Sequence, residues 1–315
     1  MRVILLGTPL FAVPTLRALA AAPDFDLAGV ICQPDRPAGR SGQLRAPAVK
    51  LAATELRLPL IQPERIRRAE ALGWLAERAP EALAVIAYGQ LLPAAVFNLP
   101  CWGAINAHAS LLPRLRGAAP IQWAIAQGET VTGVTTMRID AGLDTGAILL
   151  RREVSIGAEE TAPQLSARLA DLAAELTLAT LRGLAAGTVT PQPQPSAGMT
   201  LAPLLTRANA TVDWTVPSGA IYNRWRGFQP WPGIASTFRG RRLQILACHP
   251  APPSAVAALS ATVPGTLAAA GAELLVACGA NWLRLETVQL EGRRPSSGPD
   301  FARGARLQPG ERLGS

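Results

Sequence analysis

Histidine and lysine are nearly missing from this chain: His108 and His249 are the only histidines, and Lys50 is the only lysine among 30 lysines and arginines. Cys32, Cys101, Cys248 and Cys278 are scattered, with no C-x-x-C pair and no His at ligand spacing, so no metal site is expected. The same scatter speaks against a disulfide framework and for buried thiols in a reducing compartment. No apolar run reaches membrane length, and the one within Met1–Leu6 is too short for a signal peptide. A cytoplasmic protein with no membrane partner is expected. Neither G-x-G-x-x-G nor G-x-x-x-x-G-K-[ST] occurs, and Gly7-Thr8-Pro9 is a weak phosphate loop, so nucleotide cofactors are not supported.

Core material is ample. Apolar residues make up 49% of 315 residues and charged residues 17%, which excludes a disordered chain and favours two domains. The net charge of +8 is carried by arginine, whose forked donors match phosphate oxygens. A polyanionic partner and a genome biased towards arginine codons both account for that excess.

The first half alternates strand and helix. Val3–Leu6 reads as a buried parallel strand, Ala12–Ala21 as a helix and Leu27–Ile31 as a second strand. Further strands fall at Leu83–Ala87, Ala104–Ala107, Gly133–Ile139 and Ile148–Val154, with helices around Ala48–Leu56, Glu64–Ala79 and Ile121–Gln127. This order predicts an α/β, Rossmann-like, doubly wound domain over residues 1–189, ending in one long amphipathic helix from Thr161 to Ala186. The alternating prolines of Thr190–Pro195 predict a stiff linker over 190–208. Short apolar runs at Ala235–Phe238, Leu243–Ala247, Gly265–Ala268, Leu274–Cys278 and Trp282–Val288 predict a small β-barrel over 209–315, with little helix after Ile221–Arg226.

The most informative stretch is Asn106-Ala107-His108-Ala109-Ser110-Leu111-Leu112-Pro113, followed by Asp140-Ala141-Gly142-Leu143-Asp144-Thr145-Gly146. Asn106 and His108 are two residues apart on a predicted strand and so share one face of the sheet. If the second loop folds over the strand end, the Asp144 carboxylate holds the imidazole and favours its protonated form. An amide, an imidazole and a carboxylate suit attack on a carbonyl: the first two donate to an oxyanion, and the third relays protons. Ser110 is poorly placed as a nucleophile, since only one residue separates it from His108 and the Gly-x-Ser-x-Gly elbow is absent. Taken singly, each residue has an ordinary explanation, as a turn former, a cap or a buried hydrogen-bonding group.

Together they do not. The ordered set Gly7-Thr8-Pro9-x-Phe11, Gln33-Pro34-Asp35-Arg36-Pro37-Ala38-Gly39-Arg40, Ala87-Tyr88-Gly89-Gln90, Asn106 to Arg114, Arg116 to Gln122, Asp140 to Gly146, Asp213-Trp214 and Trp231-Pro232-Gly233 resembles the methionyl-tRNA formyltransferase family over nearly the whole chain. The resemblance implies a formyltransferase domain followed by an OB-like C-terminal domain that binds tRNA. It implies transfer of the formyl group of 10-formyltetrahydrofolate, a substrate, to the α-amine of methionyl initiator tRNA for translation initiation, with Asn106, His108 and Asp144 catalytic. It further implies folate contacts at Ser110, Leu111, Leu112 and Pro113, at Tyr88, Gly89 and Gln90, and at Asp140 and Gly142. Arg40, with Arg36 and Arg45, is expected at the tRNA acceptor end, and Arg207 and Arg241 within a wider group (Arg224, Arg226, Arg239, Arg242) of phosphate contacts. Ser41, Gly42 and Gln43 stand where the family often has lysines, Leu115 replaces an aromatic residue, and Leu204 a lysine. Trp231 is expected in the core of the second domain. A monomer is expected. The alternatives are a formyltetrahydrofolate enzyme acting on an amino sugar or hydrolysing formylfolate, and a non-catalytic RNA-binding protein.

Overall fold

The computed structural model describes residues 1–38, 42–256 and 263–314. Its elements, in chain order, are β1 Arg2–Gly7, α1 Val13–Ala21, β2 Asp26–Ile31, β3 Arg36–Ala38, β4 Gln43–Arg45, α2 Ala48–Glu55, β5 Leu60–Ile61, α3 Ala69–Arg78, β6 Ala82–Ile86, α4 Ala94–Phe97, β7 Ala104–His108, α5 Pro120–Ala126, β8 Val131–Arg138, β9 Ile148–Ser155 and α6 Ala162–Ala185. There follow α7 Ser218–Gly227, β10 Ile234–Phe238, β11 Arg241–Pro250, α8 Pro253–Val256, β12 Leu267–Ala270, β13 Glu273–Ala277, β14 Trp282–Leu290, β15 Ser296–Ser297 and α9 Gly298–Ala305. Two compact units form: Met1–Pro120 with Val131–Ser155 and Gln164–Pro203, and Ile121–Thr130 with Ile156–Pro163 and Leu204–Ser315.

The first unit is built on a seven-stranded sheet in the order β5-β2-β1-β6-β7-β8-β9. Val3 to Leu6 are fully buried, as an unbroken apolar run in a parallel sheet covered on both faces requires. Strands β5, β2, β1, β6 and β7 run parallel, and the order reverses between β1 and β6, which makes the strand ends there the switch point where such sheets bind ligands. Thr8 ties those ends together: its hydroxyl donates to the Tyr88 carbonyl at 2.8 Å and accepts from the Gln33 N–H at 3.3 Å. Ile4, Leu6, Leu83, Val85 and Ala104 form one face of the core with Ala71 and Leu75 of α3. In register, Asn106 lies beside Val85, so Asn106 and His108 continue that same face.

The last two strands pair antiparallel. β8 runs antiparallel to β7, pairing His108 with Thr135 and Ile105 with Arg138, and β9 is antiparallel to β8. The Asp140–Gly146 loop therefore leaves the sheet beside the amino end of β7 and turns back over the face that carries His108. Helix α3 starts at Ala69, not near Glu64, because the Gln90 carboxamide takes the Ile66 N–H and donates to the Glu64 carbonyl, holding that segment as a turn. Gly187, at φ +68°, follows the end of α6 as a left-handed cap. Residues 190–203 of the expected stiff linker fall within the first unit.

The second unit is an antiparallel sheet in the order β10-β11-β14-β13-β12, with β15 paired to β14. The fold class is thus α/β followed by an antiparallel β unit. Helix α9 was not expected. It is started by Ser297, which accepts the Asp300 N–H, with a proline in its first turn, and is ended by Arg306 in the left-handed region. Two further expectations are corrected: Cys101 is exposed, and Trp231 is 52% exposed rather than in the core.

Candidate active site

His108 ends β7 and is 6% exposed. Its Nε2 stands 2.9 Å from the Leu115 carbonyl oxygen. A carbonyl can only accept, so Nε2 carries the proton and donates, which leaves Nδ1 as the variable nitrogen. Nδ1 faces Asp144 Oδ2 at 3.7 Å, a separation across which charges act but longer than a hydrogen bond. Catalytic contacts of this kind often tighten only with substrate bound.

Asp144 is held from several sides. Its Oδ2 accepts the Gly117 N–H at 2.8 Å, whereas Oδ1 takes no hydrogen bond from the described residues. Its backbone lies in the left-handed region at φ +52°, an uncommon state for a residue with a side chain. Asp140 shapes the loop: its Oδ1 accepts from the Gly142 N–H at 3.0 Å and the Thr145 hydroxyl at 2.6 Å. Gly146 is required by a close approach, since a Cβ there would stand 1.7 Å from the Arg138 carbonyl oxygen. Leu115 at φ +57° and Ala87 at φ +48° place two more left-handed residues in the loops around the site. Such conformations persist where the surroundings over-determine them, as they do at functional sites.

Asn106, half-buried on the same face as His108, makes no side-chain hydrogen bond among the described residues. Among the described residues the site thus presents one carboxamide and one carboxylate oxygen without hydrogen-bond partners, and one imidazole whose Nε2 is engaged.

The residues expected at the folate are placed unevenly. Leu111 is half-buried, but Ser110 and Leu112 are fully buried, as is Pro113 nearly so. The Ser110 hydroxyl donates to the Arg114 carbonyl at 2.7 Å, and Leu112 packs with Met137 and Ile148 beneath the Asp144 loop. Tyr88 is 2% exposed with its ring in the sheet core, where burial pushes its phenol well up. In the Ala87–Gln90 loop Ala87 and Gly89 are exposed, and the Gln90 amide is engaged with Ile66 and Glu64. Asp140 and Gly142 are exposed at the loop tip.

Among the expected tRNA contacts, Arg40 lies outside the described residues. Arg36 and Arg45 are exposed and directly opposed in the β3–β4 pair, with no ion-pair partner among the described residues. Like charges so placed repel unless an anion lies between them. The cluster below that hairpin holds its root: Lys50 Nζ reaches both Asp35 oxygens at 2.9 and 2.7 Å, and Gln62 donates to Asp35 at 2.8 Å. Arg207 and Arg241 are exposed in the second unit, Arg241 with a hydrogen bond to the Glu291 carbonyl. Three others of that group are engaged internally: Arg226 donates to the carbonyls of Gly157 and Glu160, Arg224 to that of Asn209, and Arg239 grips both Glu311 oxygens.

Sequence reasoning missed the residues that brace the site. Gln194 and Thr200 bond with their side chains to backbone groups, and Leu115 and Gly117 act through their own carbonyl and N–H, partners that leave no residue-type signature.

A formyl transferase family model matches residues 1–181, and a formyl transferase C-terminal domain model matches residues 204–306. A methionyl-tRNA formyltransferase of Solibacter usitatus is 50% identical, covering 100% of this chain and 99% of the relative. One of Geobacter metallireducens is 44% identical, covering 99% and 98%. Among solved structures, the sugar 3N-formyl transferase WlaRD, crystallised in the presence of dTDP and 5-N-formyl-THF, superposes with a TM-score of 0.65 at 14% identity, covering 93% of this chain and 99% of that one.

Proposed function

The chain belongs to the formyl transferase family, and from that premise we propose that it moves the formyl group of 10-formyltetrahydrofolate to the α-amine of methionyl initiator tRNA. The arrangement around His108 carries this reading. With Nε2–H engaged by Leu115, Nδ1 is the ring position left to donate when it carries a proton, and the Asn106 carboxamide supplies another donor. The neutral amine attacks the formyl carbon, and these two donors stabilise the oxyanion of the tetrahedral adduct. The Asp144 Oδ1, with no bond to the described residues, accepts the proton that the amine sheds and returns it to the folate nitrogen as the carbon–nitrogen bond breaks. The exposed residues Ala87 and Gly89 suit the edge of a flat heterocycle.

The methionyl-tRNA acceptor is favoured by relatives of that name at 50% and 44% identity over the full chain, and by the unpartnered Arg36 and Arg45 on their hairpin. Supplying labelled 10-formyltetrahydrofolate with methionyl initiator tRNA, uncharged tRNA or a dTDP-linked amino sugar tests it. Label is expected on methionyl-tRNA alone. Label on the amino sugar, or released only as formate, would move the acceptor elsewhere.

A further inference from the structure

The Pro-rich segment after α6, whose composition reads as a spacer, lies across both catalytic loops. Gln192 exchanges backbone hydrogen bonds with Ile148 at 2.7 Å in each direction. Ten residues on, the Ala202 N–H donates to the Arg116 carbonyl, and the Ala202 carbonyl accepts from Ala119. Thr200 accepts the Leu115 N–H on its hydroxyl at 2.8 Å and the Arg116 N–H on its carbonyl at 2.9 Å. Between these anchors sits Gln194, with its amide saturated. Nε2 donates to the carbonyls of Asp144 and Gly146, each at 2.8 Å, and Oε1 accepts from Arg116 at 3.1 and 2.6 Å.

We infer that Gln194 is a positioning residue that fixes the His108–Asp144 geometry. The two partners of His108 come from different loops: the Leu115 carbonyl on one and the Asp144 carboxylate on the other. Among the described residues Gln194 is the one side chain outside the two loops with hydrogen bonds to both, through Arg116, next to Leu115, and through Asp144 itself. Its two donated bonds end on the carbonyls at residue 144 and two residues later, so they hold a left-handed backbone that has no conformational preference of its own to stay there. Without them the loop keeps the Gly117 bond to Oδ2 and the Asp140 turn at its tip, but loses the restraint that aims the carboxylate at Nδ1. The role presupposes the chemistry proposed above, whereas its geometric content does not.

Three variants and two readouts test it. Gln194→Ala removes every bond. Gln194→Glu keeps an acceptor for Arg116 and sets a carboxylate oxygen against two carbonyls. Gln192→Ala changes an exposed side chain of the same segment that acts through its backbone. For both Gln194 variants kcat is expected to fall about ten- to a hundredfold, the cost of an ångström-scale misplacement, with KM for either substrate within about threefold. Gln192→Ala is expected to match the parent. The second readout needs no substrate: because the chain has only two histidines, the imidazole 15N signals of His108 are assigned by comparison with a His249→Gln protein. The Nδ1 signal is expected to move in the Gln194 variants and to stay in Gln192→Ala. Should Gln194→Ala fail to fold, Gln194→Glu carries the same two readouts alone. An unmoved Nδ1 signal with parental kcat in a folded Gln194 variant would overturn the inference. Failure of the parent to formylate methionyl-tRNA would instead strike the acceptor assignment and leave the 15N result standing.

Discussion

At His108 one ring nitrogen is committed to Leu115 and the other faces Asp144, so substitutions around the ring separate binding from chemistry. Asn106→Ala removes a donor to the oxyanion and is expected to lower kcat on the order of a hundredfold while folate affinity, read by fluorescence titration, stays put. His108→Ala is expected to lower it at least as far. Asp144→Asn keeps an acceptor for the Gly117 N–H but deprives Oδ1, or the nitrogen that replaces it, of the capacity to take a proton. Its loss is therefore expected in single-turnover rate and not in KM. Much of this site is legible in sequence, because strand alternation alone puts Asn106 and His108 on one face. The Leu115 carbonyl and the Gln194 amide are not legible: a backbone oxygen looks the same at every residue, and a glutamine between prolines has no periodicity to betray a partner about fifty residues away.

At the level of elements, the loops carry the site and a few close backbone approaches fix them. Gly117 sits at φ +120°, and a Cβ there would stand 2.7 Å from the Ala202 carbonyl oxygen. Gly117→Ala is expected to cost about 1–3 kcal/mol in urea unfolding and to depress kcat, since its N–H orients Asp144. Gly198→Ala, at φ +78° with open space around it, offers the contrast: about 1 kcal/mol of backbone strain with activity retained. The apolar runs of β1, β6 and β7 are readable because a parallel sheet buried on both faces needs them. The direction of β8 is not, since an apolar run reads the same both ways, and that direction sends the Asp144 loop back across the face. Helix α9 is hidden because Gly-Pro-Asp reads first as a turn, although Ser297 and Asp300 form a capping pair.

Across the molecule, charge is the property with measurable reach. Several carboxylates are held below their ordinary range by donors and cations beside them: Asp24 to about 2 by Arg182, and more modestly Asp35 by Lys50, Glu55 by Arg17 and Glu311 by Arg239. Glu159 is held low first by the Tyr222 hydroxyl and then by His249. Each takes up its proton more readily unfolded than folded, so their contribution to stability is complete above the unfolded values near about pH 4 and is lost as pH falls through the folded ones. The urea midpoint is expected to drop between about pH 4.5 and 2.5, and less steeply in 0.5 M salt because the pairs are exposed. A midpoint that rises on acidification would contradict those assignments. The +8 charge is legible as a total, but composition does not say which arginines are free, and Arg226 and Arg239 prove to be engaged while Arg36 and Arg45 do not. Affinity for tRNA is expected to fall steeply with salt, and Arg36→Ala or Arg45→Ala to reduce the slope of log K against log salt by about 1. The central claim, that the Asn106–His108–Asp144 group transfers a formyl unit to an aminoacyl-tRNA amine, meets its most direct test in single-turnover transfer of labelled formyl from 10-formyltetrahydrofolate to methionyl initiator tRNA, with the parent beside Asn106→Ala. Rapid labelling by the parent and labelling slowed on the order of a hundredfold by the variant, at unchanged tRNA affinity, is the predicted result. Equal rates for the two, or no labelled methionyl-tRNA from the parent, would contradict it.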